Sequence, residues 1–123
     1  MKNLDNKTTA WLLFSDEQRD ALHENARGNA EGKELDPFPV AKLILPGTRM
    51  VWLITELDPE DNDTAFGLCD LGFGEPELGY VSLSEITEAA HNGFYVQQDS
   101  QFKATKPLSE YADEARINSE ILA

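Results

Sequence analysis

Carboxylates are the side chains of this sequence that offer chemistry at a defined site. Glu56 and Asp70 fall on two predicted neighbouring strands, and Asp58 follows the first strand almost directly. Paired carboxylates serve acid–base catalysis when their surroundings set their pKa values apart. Glu56, Asp58 and Asp70 therefore define one alternative for the function, a small hydrolase. Surface charges at strand ends are the plainer interpretation of the same residues.

An acidic turn between the predicted strands offers oxygen atoms, the ligands that hard cations prefer. It runs Asp58-Pro59-Glu60-Asp61-Asn62-Asp63. A calcium loop starting at Asp61 would need an oxygen ligand at its fifth position and glycine at its sixth. The chain has Ala65 and Phe66 there. We therefore expect a solvated turn and predict neither a metal site nor another cofactor.

Nucleophilic catalysis and phosphate binding find little support in the sequence. Cys69, the single cysteine, falls in a predicted strand, where a cysteine is typically a small core residue. Gly72-Phe73-Gly74 lacks the third glycine and the helix that a dinucleotide-binding turn needs. We predict no catalytic residue among these groups. A single cysteine cannot form an internal disulfide, so we expect the reducing environment of the cytoplasm.

The acidity of the chain is concentrated in one stretch. There are 23 Asp and Glu residues against 10 Lys and Arg, a formal net charge of −13. From Met50 to Phe102 the sequence has 11 acidic residues and no lysine or arginine, and the remainder carries 12 acidic and 10 basic residues. Such a field repels nucleic acid and anionic membranes and favours basic partners. We therefore expect neither nucleic acid nor membrane as a direct partner.

Charge density limits how far this acidity can imitate a nucleic acid. A folded chain of this mass exposes ~6,600 Å², so the excess charge amounts to one per ~500 Å². B-DNA carries one charge per ~1.7 Å of its axis, which is one per ~110 Å² of a rod of its width. Mimicry therefore requires that the acidic side chains share one face of the fold.

The length of 123 residues predicts one domain over residues 1–123, with a core from about residue 11 to 117. Connections between successive predicted strands are too short for parallel crossovers. We predict an α+β fold: an antiparallel meander of four to five strands, flanked by an N-terminal helix, a short middle helix and a C-terminal helix.

Local signals place these elements along the chain after a polar lead-in from Met1 to Ala10. Ser15 and Gln18 form a capping-box pattern for a first helix ending near residues 28–32, and Ser82 with Glu85 opens a short second helix reaching residue 89 or 90. Pro107 suits the first turn of a last helix over residues 108–117. The predicted strands cover residues 40–45, 50–57, 64–71, 78–83 and 94–96, with residues 100–103 as a continuation or a further strand.

Three motifs of the central stretch resemble the domain of unknown function 2958 family. They are Trp52-Leu53-Ile54-Thr55-Glu56-Leu57-Asp58-Pro59-Glu60-Asp61, Ala65-Phe66-Gly67-Leu68-Cys69-Asp70-Leu71-Gly72 and Pro76-Glu77-Leu78-Gly79-Tyr80-Val81-Ser82-Leu83. The likeness runs from about residue 12 to 111. It implies a bacterial protein often encoded on plasmids and other mobile elements, and it supplies no catalytic residue. Small acidic proteins of such elements are often antagonists of host defence, which is an analogy by context.

These observations lead to a functional hypothesis with two alternatives. We expect a non-enzymatic binding protein that engages a basic protein surface, in its sharper form an inhibitor of a nucleic-acid-binding or defence protein by charge mimicry. The alternatives are the hydrolase above and an accessory protein of plasmid maintenance. The residues expected to bind the partner are the carboxylates of the central stretch: Glu56, Asp58, Glu60, Asp61, Asp63, Asp70, Glu75 and Glu77.

Overall fold

The computed structural model describes residues 10–123, with the side chain of Trp11 excepted. The predicted lead-in, apart from Ala10, lies outside the described residues. The elements are a 3-10 helix Ala10–Leu13, helices α1 Asp16–Ala30, α2 Leu83–Thr87 and α3 Leu108–Asn118, and strands β1 Ala41–Ile44, β2 Val51–Leu57, β3 Thr64–Asp70, β4 Glu77–Ser82, β5 Ala90–His91, β6 Phe94–Tyr95 and β7 Gln97–Gln98.

The α+β prediction is confirmed by an antiparallel five-stranded sheet with the order β4-β3-β2-β1-β7. Its first four strands are successive hairpins, as the short connections predicted. β7 then pairs with β1, so the sheet has long β4 at one edge and two-residue β7 at the other.

The predicted fifth strand over residues 94–96 is wrong in its pairing. Phe94–Tyr95 folds back on Ala90–His91 in a separate two-stranded ribbon. Asn92 and Gly93 between them have φ angles of 49° and 82°, the left-handed conformations that allow a two-residue hairpin turn. Residues 100–103, the proposed continuation, form no strand.

Helices cover both faces of the sheet, and each face has its own core. On one face, α1, α2 and the 3-10 helix pack around Leu43, Trp52 and Ile54. On the other face, α3 packs around Leu53 and Leu68. This alternation follows the strand period of two residues. None of the described helices combines the length and the apolar composition that crossing a bilayer requires.

Capping residues determine where the helices begin. The Ser15 side chain accepts a hydrogen bond from the Gln18 backbone N–H, and the Gln18 side chain accepts one from the Ser15 backbone N–H, which confirms the predicted capping box. Ser82 caps α2 at the Glu85 N–H. Pro107 is the N-cap of α3 and supplies no side-chain bond, so Asp36 from the loop between α1 and β1 accepts from the Ser109 backbone instead.

A β-bulge in β2 changes the register next to Thr55. Ile54 pairs with Gly67, and Glu56 pairs with Phe66, so Thr55 is the extra residue. The Asn25 side chain donates to the backbone carbonyl of Thr55 at 2.9 Å, which ties α1 to the bulge. The bulge re-aims the end of β2, and with it Glu56, towards α1.

Candidate functional site

A cleft of about 430 Å³ lies between the C-terminal half of α1 and the sheet. Its walls come from α1, from the end of β2 with the following turn, and from the neighbouring parts of β3 and β4. Its polar and aromatic lining consists of Arg27, Asn29, Glu56, Asp58, Glu60, Thr64, Phe66 and Tyr80. Three of the predicted carboxylates therefore meet at this cleft.

Strand register explains why one carboxylate and two aromatic rings share the cleft. Glu56 pairs with Phe66, and Phe66 pairs with Tyr80 on the next strand. Residues paired across antiparallel strands project from the same face. The rings of Phe66 and Tyr80 meet edge to face, with centroids 4.9 Å apart. Tyr80 remains 70% exposed, so this aromatic pair forms an accessible wall.

Glu56 is held by the helix opposite its strand. Asn29 Nδ2 donates a hydrogen bond of 2.8 Å to Glu56 Oε2. Burial raises the pKa of the Glu56 carboxyl, and the hydrogen bond from Asn29 opposes part of that rise. The folded protein therefore binds a proton at Glu56 more readily than the unfolded chain does.

We expect Glu56→Gln to stabilise the protein at pH 7 and not at pH 3.5. A carboxyl whose pKa is raised by folding contributes stability below its unfolded pKa and loses that contribution as the pH rises through its folded pKa. Glutamine escapes this loss and still accepts from Asn29. The rise in Tm at pH 7 should be roughly 1–3 °C, a small value because solvent screens a partly exposed group.

Differential scanning calorimetry at both pH values measures this effect. Glu60→Gln removes the same charge from an exposed position and serves as the control. A Tm difference between the two variants that is the same at pH 3.5 and pH 7 would contradict the assignment.

The turn after β2 uses its carboxylates to hold its own backbone. Asp58 accepts from the Glu60 N–H at 2.8 Å. Asp61 accepts from the backbone of both Asp63 and Thr64. Asn62 takes a left-handed conformation with φ of 50° and bonds His23 Nε2 at 2.7 Å. Asp61 therefore acts as a turn cap as well as an exposed charge.

Asp63 differs from the solvated residue that the sequence predicted. It is 6% exposed and accepts hydrogen bonds from the Ser82 hydroxyl and the Ser84 backbone. Asp63 thus supports the start of α2 from outside the helix. Its charge is directed inside the protein, so Asp63 is not part of the candidate surface.

Asp70 also differs from a surface strand-end charge. It is 2% exposed and accepts from the backbone N–H groups of Gly72 and Ile121. Asp70 pairs with Val51 at one end of β2, whereas Glu56 lies at the other end. Asp70 lies four positions along β3 from Phe66, the partner of Glu56, which is a distance of roughly 13 Å. The structure therefore brings Glu56 and Asp58 together and keeps Asp70 apart.

Exposed carboxylates also border the rest of β4. Glu85 shares a groove with Tyr80, and Glu77 shares another with Leu78. Glu75 is exposed in the turn before the strand. We call the carboxylates that line the cleft and these two grooves the β4 rim: Glu56, Asp58, Glu60, Glu77 and Glu85.

Two arginines approach the β4 rim from the helices. Arg27 of α1 lines the cleft, and Arg116 of α3 lines the groove of Glu77. Arg116 forms an exposed ion pair with Asp113 at 3.3 Å. The rim stays acidic, since its carboxylates outnumber these two cations and residues 50–102 contain no lysine or arginine.

Cys69 is a poor nucleophile in this fold. Burial, followed by the negative charge of Glu77, raises the pKa of the Cys69 thiol to about 11. At pH 8 about 0.1% of such a thiol is ionised, against about a quarter of an ordinary cysteine thiol.

We expect native Cys69 to react with Ellman's reagent about 100-fold more slowly than Cys69 of the urea-unfolded chain, because the thiolate is the reacting form. Absorbance kinetics at pH 8 measure both rates. Native and unfolded rates within threefold of each other would contradict the burial-raised pKa.

Over residues 10–123, no three His, Cys, Asp or Glu side chains are arranged to hold a metal ion. In the acidic turn after β2, carboxylate oxygens accept hydrogen bonds from backbone N–H groups of the turn itself. These residues offer no preformed hard-cation site of the kind that needs six or more oxygens.

Sequence reasoning missed the contribution of α1 to the site. Arg27 and Asn29 lie on a helix whose apolar stripe is weak, and nothing local marks their polar side chains as facing β2. Sequence analysis also did not single out Tyr80, which is exposed and lines the cleft. Tyr80 lies on the last of the hairpin-connected strands, at the edge of the sheet, and an edge strand is covered on one side only. That position was the available signal for its exposure.

Fold and site together define an α+β protein with an antiparallel five-stranded sheet and an acidic cleft and rim at one edge strand. The chain belongs to the DUF2958 family of proteins of unknown function, whose family model matches residues 13–122. Comparison with curated proteins and with solved structures finds no match.

Proposed function

We propose that this protein is a non-enzymatic binding protein that engages a basic protein surface through the β4 rim. One observation carries the proposal. Carboxylates from β2, from the turn after it, from β4 and from α2 are placed around a single edge strand. Charges that share one region act together on an approaching partner, whereas charges spread over the molecule do not.

Burial excludes two of the predicted carboxylates from the contact surface. Asp63 and Asp70 satisfy backbone groups inside the fold, so they contribute little to a contact surface. Glu60, Glu77 and Glu85 are exposed, so a partner can contact these carboxylates of the rim directly. Glu56 and Asp58 line the cleft beside the aromatic wall.

The sharper form of the proposal is inhibition of a nucleic-acid-binding or defence protein inside the cytoplasm of a bacterium that carries a mobile element. A rim of carboxylates placed where a basic groove expects phosphates would compete with nucleic acid for that groove. Support comes from the clustering of the rim and from the absence of lysine and arginine over residues 50–102.

The test is an affinity capture from bacterial lysate at two salt concentrations, with mass spectrometry. The amount of protein retained by the β4 rim should fall about tenfold between 50 and 500 mM salt, because salt screens exposed charges. The triple variant Glu60→Lys, Glu77→Lys and Glu85→Lys should lose the same proteins. Reversal of Glu17, Glu24 and Glu110, which are exposed and distant in sequence, gives the matched control.

Two outcomes of this capture would overturn the proposal. Retention that is equal at both salt concentrations would show that charge does not drive binding. Partners kept by the rim variant would assign acidity to solubility alone, as for an accessory protein of plasmid maintenance.

A second candidate function rests on the raised pKa of Glu56. A half-buried carboxyl with a raised pKa, beside Asp58 in a cleft with an aromatic wall, is an arrangement that hydrolases use. Asp70 takes no part in it. Hydrolysis of a panel of chromogenic esters and glycosides by the wild type, and its loss in Glu56→Gln, would favour this function over binding.

A further inference from the structure

β4 is an edge strand with a free side. It spans Glu77–Ser82, pairs with β3 and has no second neighbour among the described residues. An unpaired edge presents a row of backbone donors and acceptors to any extended chain. Proteins usually protect such an edge with charged side chains, above all lysine, with proline or with a bulge. β4 has no lysine, proline or bulge, its pairing with β3 is regular throughout, and its one charged residue is Glu77 at the first position.

The backbone groups that face outward belong to the residues with exposed apolar side chains. The Leu83 N–H donates to the Asp63 carbonyl on the β3 side, so odd-numbered residues of β4 bond to β3. Alternation then directs the N–H and C=O groups of Leu78 and Tyr80 away from the sheet. Their side chains are 46% and 70% exposed.

The negative charge around β4 determines which kind of strand can pair with it. The β4 rim borders the strand on both faces, and Glu75 precedes it. A second copy of this chain would bring a like-charged rim against it, at a net charge of −13 for each copy. A segment that alternates lysine or arginine with apolar residues would instead meet carboxylates with its cations and Leu78 and Tyr80 with its apolar side.

We propose that β4 takes up an extended basic segment of the partner as an additional strand of the sheet. This inference rests on the proposed binding function and adds its mode: backbone pairing at Leu78 and Tyr80 supplies affinity, and the β4 rim selects cations. Strand addition at an exposed edge is a general way to bind peptides.

The experiment uses a capped, fluorescently labelled decapeptide of alternating lysine and valine. The control peptide has the same sequence with every backbone amide N-methylated, so it keeps the charge and loses the donors. Anisotropy titrations with the wild-type protein should show at least tenfold weaker binding of the methylated peptide. In NMR hydrogen exchange, the bound peptide should protect the amides of Leu78 and Tyr80 and leave Gly79 unchanged, since Gly79 already bonds to β3.

Variants of the protein provide a second arm. Leu78→Pro removes one outward donor and is tolerable at an edge, whereas Leu78→Ala removes the side chain and keeps the donor. The proline variant should bind at least fivefold more weakly than the alanine variant. If Leu78→Pro fails to fold, the two peptides on the wild type still decide the question.

Each contrary outcome is separable. Equal, salt-sensitive binding of both peptides would overturn strand addition and leave the binding function standing. No binding of either peptide at 50 mM salt would overturn both. Sedimentation showing a dimer that the unmethylated peptide dissociates would overturn the basic segment in favour of a second copy of the chain.

Discussion

Gly67→Ala should lower the free energy of unfolding by roughly 3 kcal/mol, at the upper end of what overpacking costs. A Cβ built at Gly67 would lie 2.0 Å from the carbonyl oxygen of Leu53 and 2.9 Å from its carbonyl carbon. Both are backbone atoms of the central strand and cannot rotate away as a side chain would. The strands must separate next to the bulge at Thr55, and hydrogen bonds between β2 and β3 are then stretched.

The control for this variant lies directly across the ladder. Gly79 is paired with Gly67, and a Cβ there meets no atom within 4 Å. Gly79→Ala should therefore be neutral, or stabilising by up to about 1 kcal/mol through the reduced freedom of the unfolded chain. Urea unfolding followed by circular dichroism measures both. Equal losses in the two variants would show that strand propensity, and not the contact with Leu53, decides the effect.

Asp70→Ala should cost about 2 kcal/mol and free the end of the chain. The Asp70 carboxylate accepts from the Gly72 N–H at 2.9 Å and from the Ile121 N–H at 3.0 Å. Removing it leaves a buried donor without a partner, and that desolvation costs about 1–3 kcal/mol. Ile121 is 8% exposed and belongs to the core beneath α3, so its packing depends on this bond.

Hydrogen exchange of the Ile121 amide separates this bond from a general effect of charge. In the wild type the amide should exchange slowly, and in Asp70→Ala at close to the rate of an unstructured chain. Glu75→Ala removes an exposed carboxylate with no such role and should leave both stability and exchange unchanged. Persisting protection of Ile121 in Asp70→Ala would contradict the contact.

Elements with local signals were predictable from the sequence. The capping box at Ser15 and Gln18 depends on residues three apart, and the structure confirms it. The first four strands alternate or are continuously apolar and are joined by short turns, so their antiparallel order followed. Local hydrogen bonds and the two-residue strand period determine these features, and both are visible in a single sequence.

Features that depend on distant residues were not predictable. The buried partner of Asp70, the Ile121 N–H, lies 51 residues further along the chain, so nothing near Asp70 marks it as buried. Asp63 has the same local sequence context as its acidic neighbours, and only the packing of α2 against it makes it a buried acceptor. The cleft needed Asn29 of α1 opposite Glu56, 27 residues away. Sequence analysis therefore located the acidic stretch of the site, but it could not show which of the carboxylates are buried and which are exposed.

The return of β7 to the β1 edge has a consequence for the order of events in folding. β1 to β4 are joined by short turns, and each pairing closes a loop of few residues. The pairing of Leu43 with Gln98 closes a loop of more than fifty residues. The entropy of closing that loop is lost before the contacts of the pairing can compensate for it. We infer that the four hairpin-connected strands form the folding nucleus and that β7 docks on its far edge after the rate-limiting step.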